Sequence, residues 1–141
     1  MLSITYISTA VYEPDQEELL ALLRQSRANN ARLGVTGLLQ YRAGNYIQTL
    51  EGPAGVVLPL VGRIRRDPRH KHVVQITREP ISRRSFPNWS MAFRPLHDLP
   101  HDLAAAFSGL QADMDMVEEF ALSPVRSRRL HAQFLDNLRA D

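Results

Sequence analysis

The sequence contains no cysteine among its 141 residues. That excludes disulfides, thiolate metal sites and thiol catalysis. No run approaches ~18 uninterrupted apolar residues, so no membrane-spanning helix is expected. The opening MLSITYIS has no basic stretch followed by an apolar run and does not read as a signal peptide, so a cytoplasmic location is expected. There is no G-x-S-x-G, no H-E-x-x-H and no P-loop, hence no hydrolytic or phosphate-loop signature. A G-x-G-x-x-G is also missing, so any nucleotide cofactor would not be held in the Rossmann manner. Repeats and low-complexity tracts are absent. Lysine is nearly so: Lys71 stands alone among 17 basic residues, and the rest are arginine.

What is present fits one domain with its own core, given ~100–200 residues per domain. Charge is uneven. Residues 1–96 carry 13 basic and 7 acidic side chains, and residues 97–141 carry 4 and 8. The positive excess lies between Arg63 and Arg94. Arginine forks suit planar or phosphate-like partners. A nucleic acid or a small anionic ligand would satisfy them, and so would water around an ordinary basic face.

Leu2, Ile4 and Tyr6 alternate and predict a strand. Asp15 followed by Glu18 resembles a capping box, opening a helix with Leu19, Leu20, Leu22 and Leu23 on its apolar face. That helix is expected to fade near Asn29-Asn30, with Gly34 beyond it. Val35–Tyr41 and Tyr46–Glu51 flank Gly44 and predict a hairpin. Helical spacing runs from Gly55 to Arg66, with Pro59 near the first turn. Val73–Thr77 and Trp89–Phe93 predict two more strands. The order β-α-β-β-α-β-β gives an α+β, ferredoxin-like mixed sheet with two helices on one face. Beyond Pro100 the pattern is helical, so the expected organisation is a domain over 1–96 and a C-terminal helical extension over 97–141.

Several groups could carry chemistry. Gln48 shares a strand face with Tyr46 and Leu50, and Tyr6 lies on the apolar face of the first strand. A buried tyrosine hydroxyl needs a partner, and a glutamine amide both donates and accepts. Alone, the pair reads first as a satisfied structural contact, or as a Gln48 that faces solvent. Ser26 and Asn30 are four apart and share a helix face. An asparagine amide there suits a heterocycle with adjacent carbonyl and imide groups, or simply a helix end. Arg63, Asp67 and His70 fall at i, i+4 and i+7, predicting one helical face with Arg69 beside it. His70 and His72 lack supporting ligands, so no metal is expected. Trp89 and Met91 share one face of the last predicted strand.

The string as a whole is more specific than its pieces. Ser26-Arg27-Ala28-Asn29-Asn30, Gly34-Val35-Thr36-Gly37-Leu38-Leu39, Tyr46-Ile47-Gln48-Thr49-Leu50-Glu51-Gly52, Asp67-Pro68-Arg69-His70 and Phe86-Pro87-Asn88-Trp89-Ser90-Met91 occur in that order. Over residues 1 to about 95 this closely resembles the BLUF family of blue-light sensors using FAD. The resemblance implies a light-active tyrosine at Tyr6 and a switching glutamine at Gln48. It implies flavin contacts at Ser26, Asn29, Asn30 and Gln48. Arg63, Asp67, Arg69 and His70 match positions near the ribityl chain and the ring's far edge, and Trp89 and Met91 match a pair linked to signal output. FAD is the implied cofactor, with FMN or riboflavin as possible substitutes in vitro.

The resemblance also implies a chemistry. An electron and then a proton leave the tyrosine under blue light. The glutamine is left rotated or tautomerised, its new hydrogen bond to the flavin shifts absorption slightly to the red, and the dark state returns thermally. Such a protein is a switch without net turnover, not an enzyme. Tyr46 replaces the family's usual phenylalanine and Thr49 its usual valine. Asp98–Glu119 holds only acidic charges, whereas Arg126, Arg128, Arg129 and Arg139 make the end basic. A homodimer and a separate downstream protein are the expected partners, with neither nucleic acid nor membrane. The alternative is a ferredoxin-like protein- or nucleic-acid-binding module with a non-functional flavin site.

Overall fold

The computed structural model describes residues 1–12, 15–42, 44–87, 125–131 and 133. Within them the chain runs β1 (Leu2–Ala10), α1 (Gln16–Leu33), β2 (Thr36–Arg42), β3 (Asn45–Gly52), α2 (Ala54–Arg65) and β4 (His70–Pro80). The sheet order is β2-β3-β1-β4. Each crossover leaves a gap of one strand: β3 fills the gap between β1 and β2, and β1 fills that between β3 and β4. This is the split β-α-β arrangement expected. All pairs among the described strands are antiparallel, not mixed. The expected fifth strand at Trp89–Phe93 lies outside the described residues, as does most of 97–141.

Local chemistry sets the boundaries. Asp15 accepts a hydrogen bond from the Glu18 amide at 2.9 Å, capping α1, and Glu17 and Glu18 complement the positive end of its dipole. The helix runs a turn beyond Asn29-Asn30. It stops at Gly34, whose φ of 70° suits a residue without Cβ, and the Val35 amide closes the end on Asn30 O at 2.9 Å. Gly44 turns the β2–β3 hairpin at φ 86°. Pro59 lies in the middle of α2, beyond the first turn expected from sequence, and on the exposed side, without ending the helix. β4 is longer than the sequence suggests. Irregularities in its pairing with β1 break the alternation that marks a strand.

Leu2, Ile4, Tyr6 and Leu50 face the helices and pack with Val57, Leu60 and Val61 of α2 and Leu33 of α1. The opposite face is covered as well, over β2 and β3. There Phe86 and His131 are buried, the latter in a helical segment over 126–131. β3 is therefore buried on both sides, and on its second face Thr49 is paired with Thr5 and His131, and Glu51 with the Ser85 and Phe86 amides.

Burial pushes the His131 imidazole down to about 3 from an ordinary 6.5. Above pH ~6.5 the ring is neutral whether or not the segment is docked, and packing is intact. As pH falls from there toward 3, the released ring takes a proton that the packed ring refuses, so docking weakens by about 1.4 kcal/mol per pH unit. Hydrogen exchange of 126–131 is expected to accelerate between pH 6.5 and 4.5, after correction for intrinsic rates. Equal protection at both values would contradict this.

Candidate functional site

A cleft of about 230 Å³ opens between the two helices above the sheet. Its floor is β1 and β3, which bring Tyr6 and Gln48 directly opposite one another in register. Both are buried, and the Tyr6 hydroxyl donates to Gln48 Oε1. This engages the amide oxygen and leaves the amide nitrogen free of Tyr6. Burial, with a smaller effect of the Asp67 charge, pushes the Tyr6 phenol far above its ordinary value, so the hydroxyl is held protonated.

α1 lends one wall. Leu22, Gln25, Ser26, Asn29, Asn30 and Leu33 line the cleft. Their spacing is a helical stripe three and four residues apart. Asn30 is only 4% exposed, a buried amide in a wall that mixes leucines with Gln25, Ser26 and Asn29. Leu60, Arg63 and Ile64 of α2 form the opposite wall.

The far end is built from the turn after α2. The helix ends at Arg65 with Arg66 as its cap, so Arg63, Asp67 and His70 do not share a helical face as their spacing suggests. The turn and the start of β4 nevertheless return Asp67, Arg69 and His70 to the cleft. Arg69 is the ion partner of Asp67, through Nε at 3.0 and 3.1 Å and a terminal nitrogen at 2.5 Å. These bonds hold the Asp67 carboxyl below its usual range. Arg69 also reaches across to Gln25 Oε1 at 3.5 Å. His70 is fixed by the chain itself. Nε2 lies 2.5 Å from Ile64 O and so donates to it, and Nδ1 lies 2.8 Å from Ser8 Oγ. With both nitrogens engaged, His70 offers the cleft its ring. That ring stands edge-on to both Tyr6 and Tyr46.

Ser26, Asn29, Asn30, Gln48, Arg63, Asp67, Arg69, His70 and Tyr6 thus all line one cleft. Trp89 and Met91 lie outside the described residues. Gln25, Leu22, Leu33, Leu39, Leu60 and Ile64 were not singled out by sequence, although the stripe on α1 was there to be read. Tyr46 also lines the cleft. Its ring packs on Tyr41 at 4.9 Å, and burial pushes its phenol up to about 12. Among the described residues no cluster of His, Asp or Glu could hold a metal ion.

One cleft of this small antiparallel α+β domain thus sets apolar side chains beside amide groups, a lining that suits a flat, polar-edged molecule. The family model described as "Sensors of blue-light using FAD" matches residues 1–92. The chain belongs to the BLUF family. It is 37% identical over 119 residues to the photoactivated adenylate cyclase subunit beta of Euglena longa, covering 77% of this chain and 14% of that protein. The alpha subunit of Euglena gracilis is 35% identical, with 79% and 12% covered. The chain therefore spans about one-seventh of the length of these curated relatives. Among solved structures, the dark state of the BLUF protein BlrB superposes with a TM-score of 0.67 at 29% identity, with 96% of each chain covered. Klebsiella pneumoniae BlrP1 gives 0.72 at 27%, covering 96% of this chain and 33% of that one.

The residues present fit the family's flavin. Leucine and isoleucine side chains supply surfaces for a flat ring, and the Asn30 and Gln48 amides supply a donor and an acceptor each for its carbonyl and imide edge.

Proposed function

We infer that this chain is a blue-light sensor that binds FAD non-covalently in the cleft and signals to a separate protein. One observation supports the reading above the rest: the Tyr6 hydroxyl donates to Gln48 on the cleft floor, within a site that also holds the buried Asn30 amide. When bound, the flavin supplies the absorption of blue light and, once excited, an acceptor for one electron.

The remaining steps belong to the chain. Asn30, with Ser26 and Asn29 beside it, orients the ring, and the leucine walls exclude water. Tyr6 gives up the electron. Its phenol, a weak acid beforehand, becomes a strong one, and the proton leaves Tyr6 along the bond to Gln48 Oε1. When electron and proton return, Tyr6 is restored and Gln48 is left with its amide rotated or tautomerised. The two ends of an amide have similar size and opposite hydrogen-bonding sense, so Gln48 has two arrangements in nearly the same volume. Thermal relaxation resets it. No substrate is consumed, and the protein is a switch without turnover. Arg63, Arg69 and Asp67 hold the polar chain that extends from the ring. Trp89 and Met91 are proposed to relay the state of Gln48 outward.

The deciding measurement is a visible absorption spectrum of the purified protein before and after blue light. A flavin band that moves slightly to the red and recovers in darkness is expected. A band that only bleaches would indicate ordinary redox chemistry. No band after adding FAD would leave a ferredoxin-like interaction module.

A further inference from the structure

Successive side chains of a strand point to opposite faces. On β3, Gln48 lines the cleft, and its neighbour Thr49 points to the other side, where it is 0% exposed. Thr49 Oγ1 lies 2.7 Å from Thr5 Oγ1 and 2.8 Å from His131 Nε2. His131 Nδ1 lies 2.8 Å from Gln40 Oε1. With Gln40 Oε1 facing the ring, the direction of the chain follows. Gln40 Oε1 can only accept, so Nδ1 carries the proton and Nε2 of the neutral ring accepts from the Thr49 hydroxyl. Thr49 in turn accepts from Thr5. All four residues are buried.

Position gives this network its meaning. Thr5 pairs with Thr49 and Tyr6 with Gln48, as adjacent rungs of the same β1–β3 ladder. The Tyr6–Gln48 bond is on the cleft side, and the Thr5–Thr49–His131 chain is on the back. The segment carrying His131 has further ties to the same strand. Arg128 donates to Ser85 O at 2.9 Å, and the Phe86 ring meets that of His131 at 5.5 Å. The Ser85 and Phe86 amides both donate to the Glu51 carboxylate, at 2.9 and 2.7 Å. The C-terminal helical segment is thereby fastened to the back of the strand that carries Gln48.

We propose that His131, acting through Thr49, is a positioning residue for the Gln48 switch, and that the same bond carries the state of Gln48 to the C-terminal segment. The proposal rests on the photosensor reading above. A rearranged Gln48 displaces its rung of β3 and weakens the Thr49–His131 bond, so the segment loosens in the light. Linkage makes the effect mutual: docking of His131 must favour the dark arrangement of Gln48 over the rearranged one.

The test uses the full chain loaded with FAD, with two readouts: hydrogen exchange of 126–131 in darkness and under blue light, and the rate of dark recovery. The unaltered chain is expected to exchange about fivefold or more faster at 126–131 in the light. Thr49→Val keeps the shape and removes the hydroxyl. It is expected to retain the red shift, abolish the light–dark difference in exchange and change the recovery rate several-fold. Thr49→Ser keeps the hydroxyl and is expected to restore both. His131→Gln is the second variant, expected to behave like Thr49→Val. A merely structural role would raise exchange equally in light and dark and leave recovery unchanged, which overturns the proposal. A normal red shift with unchanged exchange at 126–131 overturns the coupling alone, whereas no red shift in the unaltered chain overturns the photosensor reading with it.

Discussion

Tyr6→Phe is expected to keep the flavin and lose the light-induced red shift altogether, and Gln48→Leu to do the same for a different reason. Phenylalanine fills the same buried volume, so the cleft keeps its shape. What is lost is an oxidisable ring whose proton has somewhere to go. Leucine at position 48 keeps Tyr6 oxidisable and removes the acceptor and the two-way amide. It also strands a buried hydroxyl, which costs about 1–3 kcal/mol. Tyr6→Phe strands the buried Gln48 Oε1 in the same way, so both variants are expected to melt below the unaltered chain. Tyr46 provides the internal control. It lines the same cleft and is a second oxidisable group, yet it is Tyr6 whose hydroxyl donates to Gln48. In Tyr6→Phe, Tyr46 can still quench the excited flavin, giving a shortened fluorescence lifetime without a red shift. A full red shift in Tyr6→Phe would transfer the donor role away from Tyr6.

The local features were legible in the sequence because their causes are local. Asp15 three residues before Glu18 predicts the cap that forms, and Gly34 and Gly44 mark two of the three described places where φ is positive, the third being His72. Tyr6 and Gln48 could be placed on the apolar faces of their strands from alternation, and the split β-α-β order makes those strands neighbours. The spacing of Arg63, Asp67 and His70 misleads, because it presumes a helix that Arg66 has already ended. The residues still converge, through a turn that periodicity does not describe. The network behind β3 was not readable at all. Thr49 looks like a polar intrusion in an apolar strand until His131, 82 positions later, supplies its partner. Gln40 and Glu51 are similar cases. Each is a polar residue in a strand buried on both faces, and the partners come from chain that is distant in sequence: His131 for Gln40 Oε1, and the Ser85 and Phe86 amides for the Glu51 carboxylate.

That double burial makes the β2–β3 seam the least forgiving part of the domain, and Gly37→Ala is the substitution expected to break it. Gly37 sits on β2 opposite Leu50 of β3. A Cβ built there overlaps the Thr49 carbonyl oxygen and comes within 2.9 Å of the Thr49 carbonyl carbon and 3.3 Å of Leu50 Cα. These are backbone atoms, so no side-chain rotation relieves the overlap. The strands must part or slip. A slip of one residue would exchange Gln48 and Thr49 between the cleft and the back of the sheet. The cost is expected to exceed about 3 kcal/mol, or a fall in melting temperature on the order of 10 °C, with loss of flavin. Gly55→Ala is the matched control. It lies in α2, a Cβ there meets nothing within 4 Å, and alanine favours a helix over glycine, so its melting temperature should hold or rise. Thermal unfolding followed by circular dichroism distinguishes them. A Gly37→Ala protein that melts alongside the Gly55→Ala protein and keeps its flavin would mean that the seam yields where its backbone contacts say it cannot.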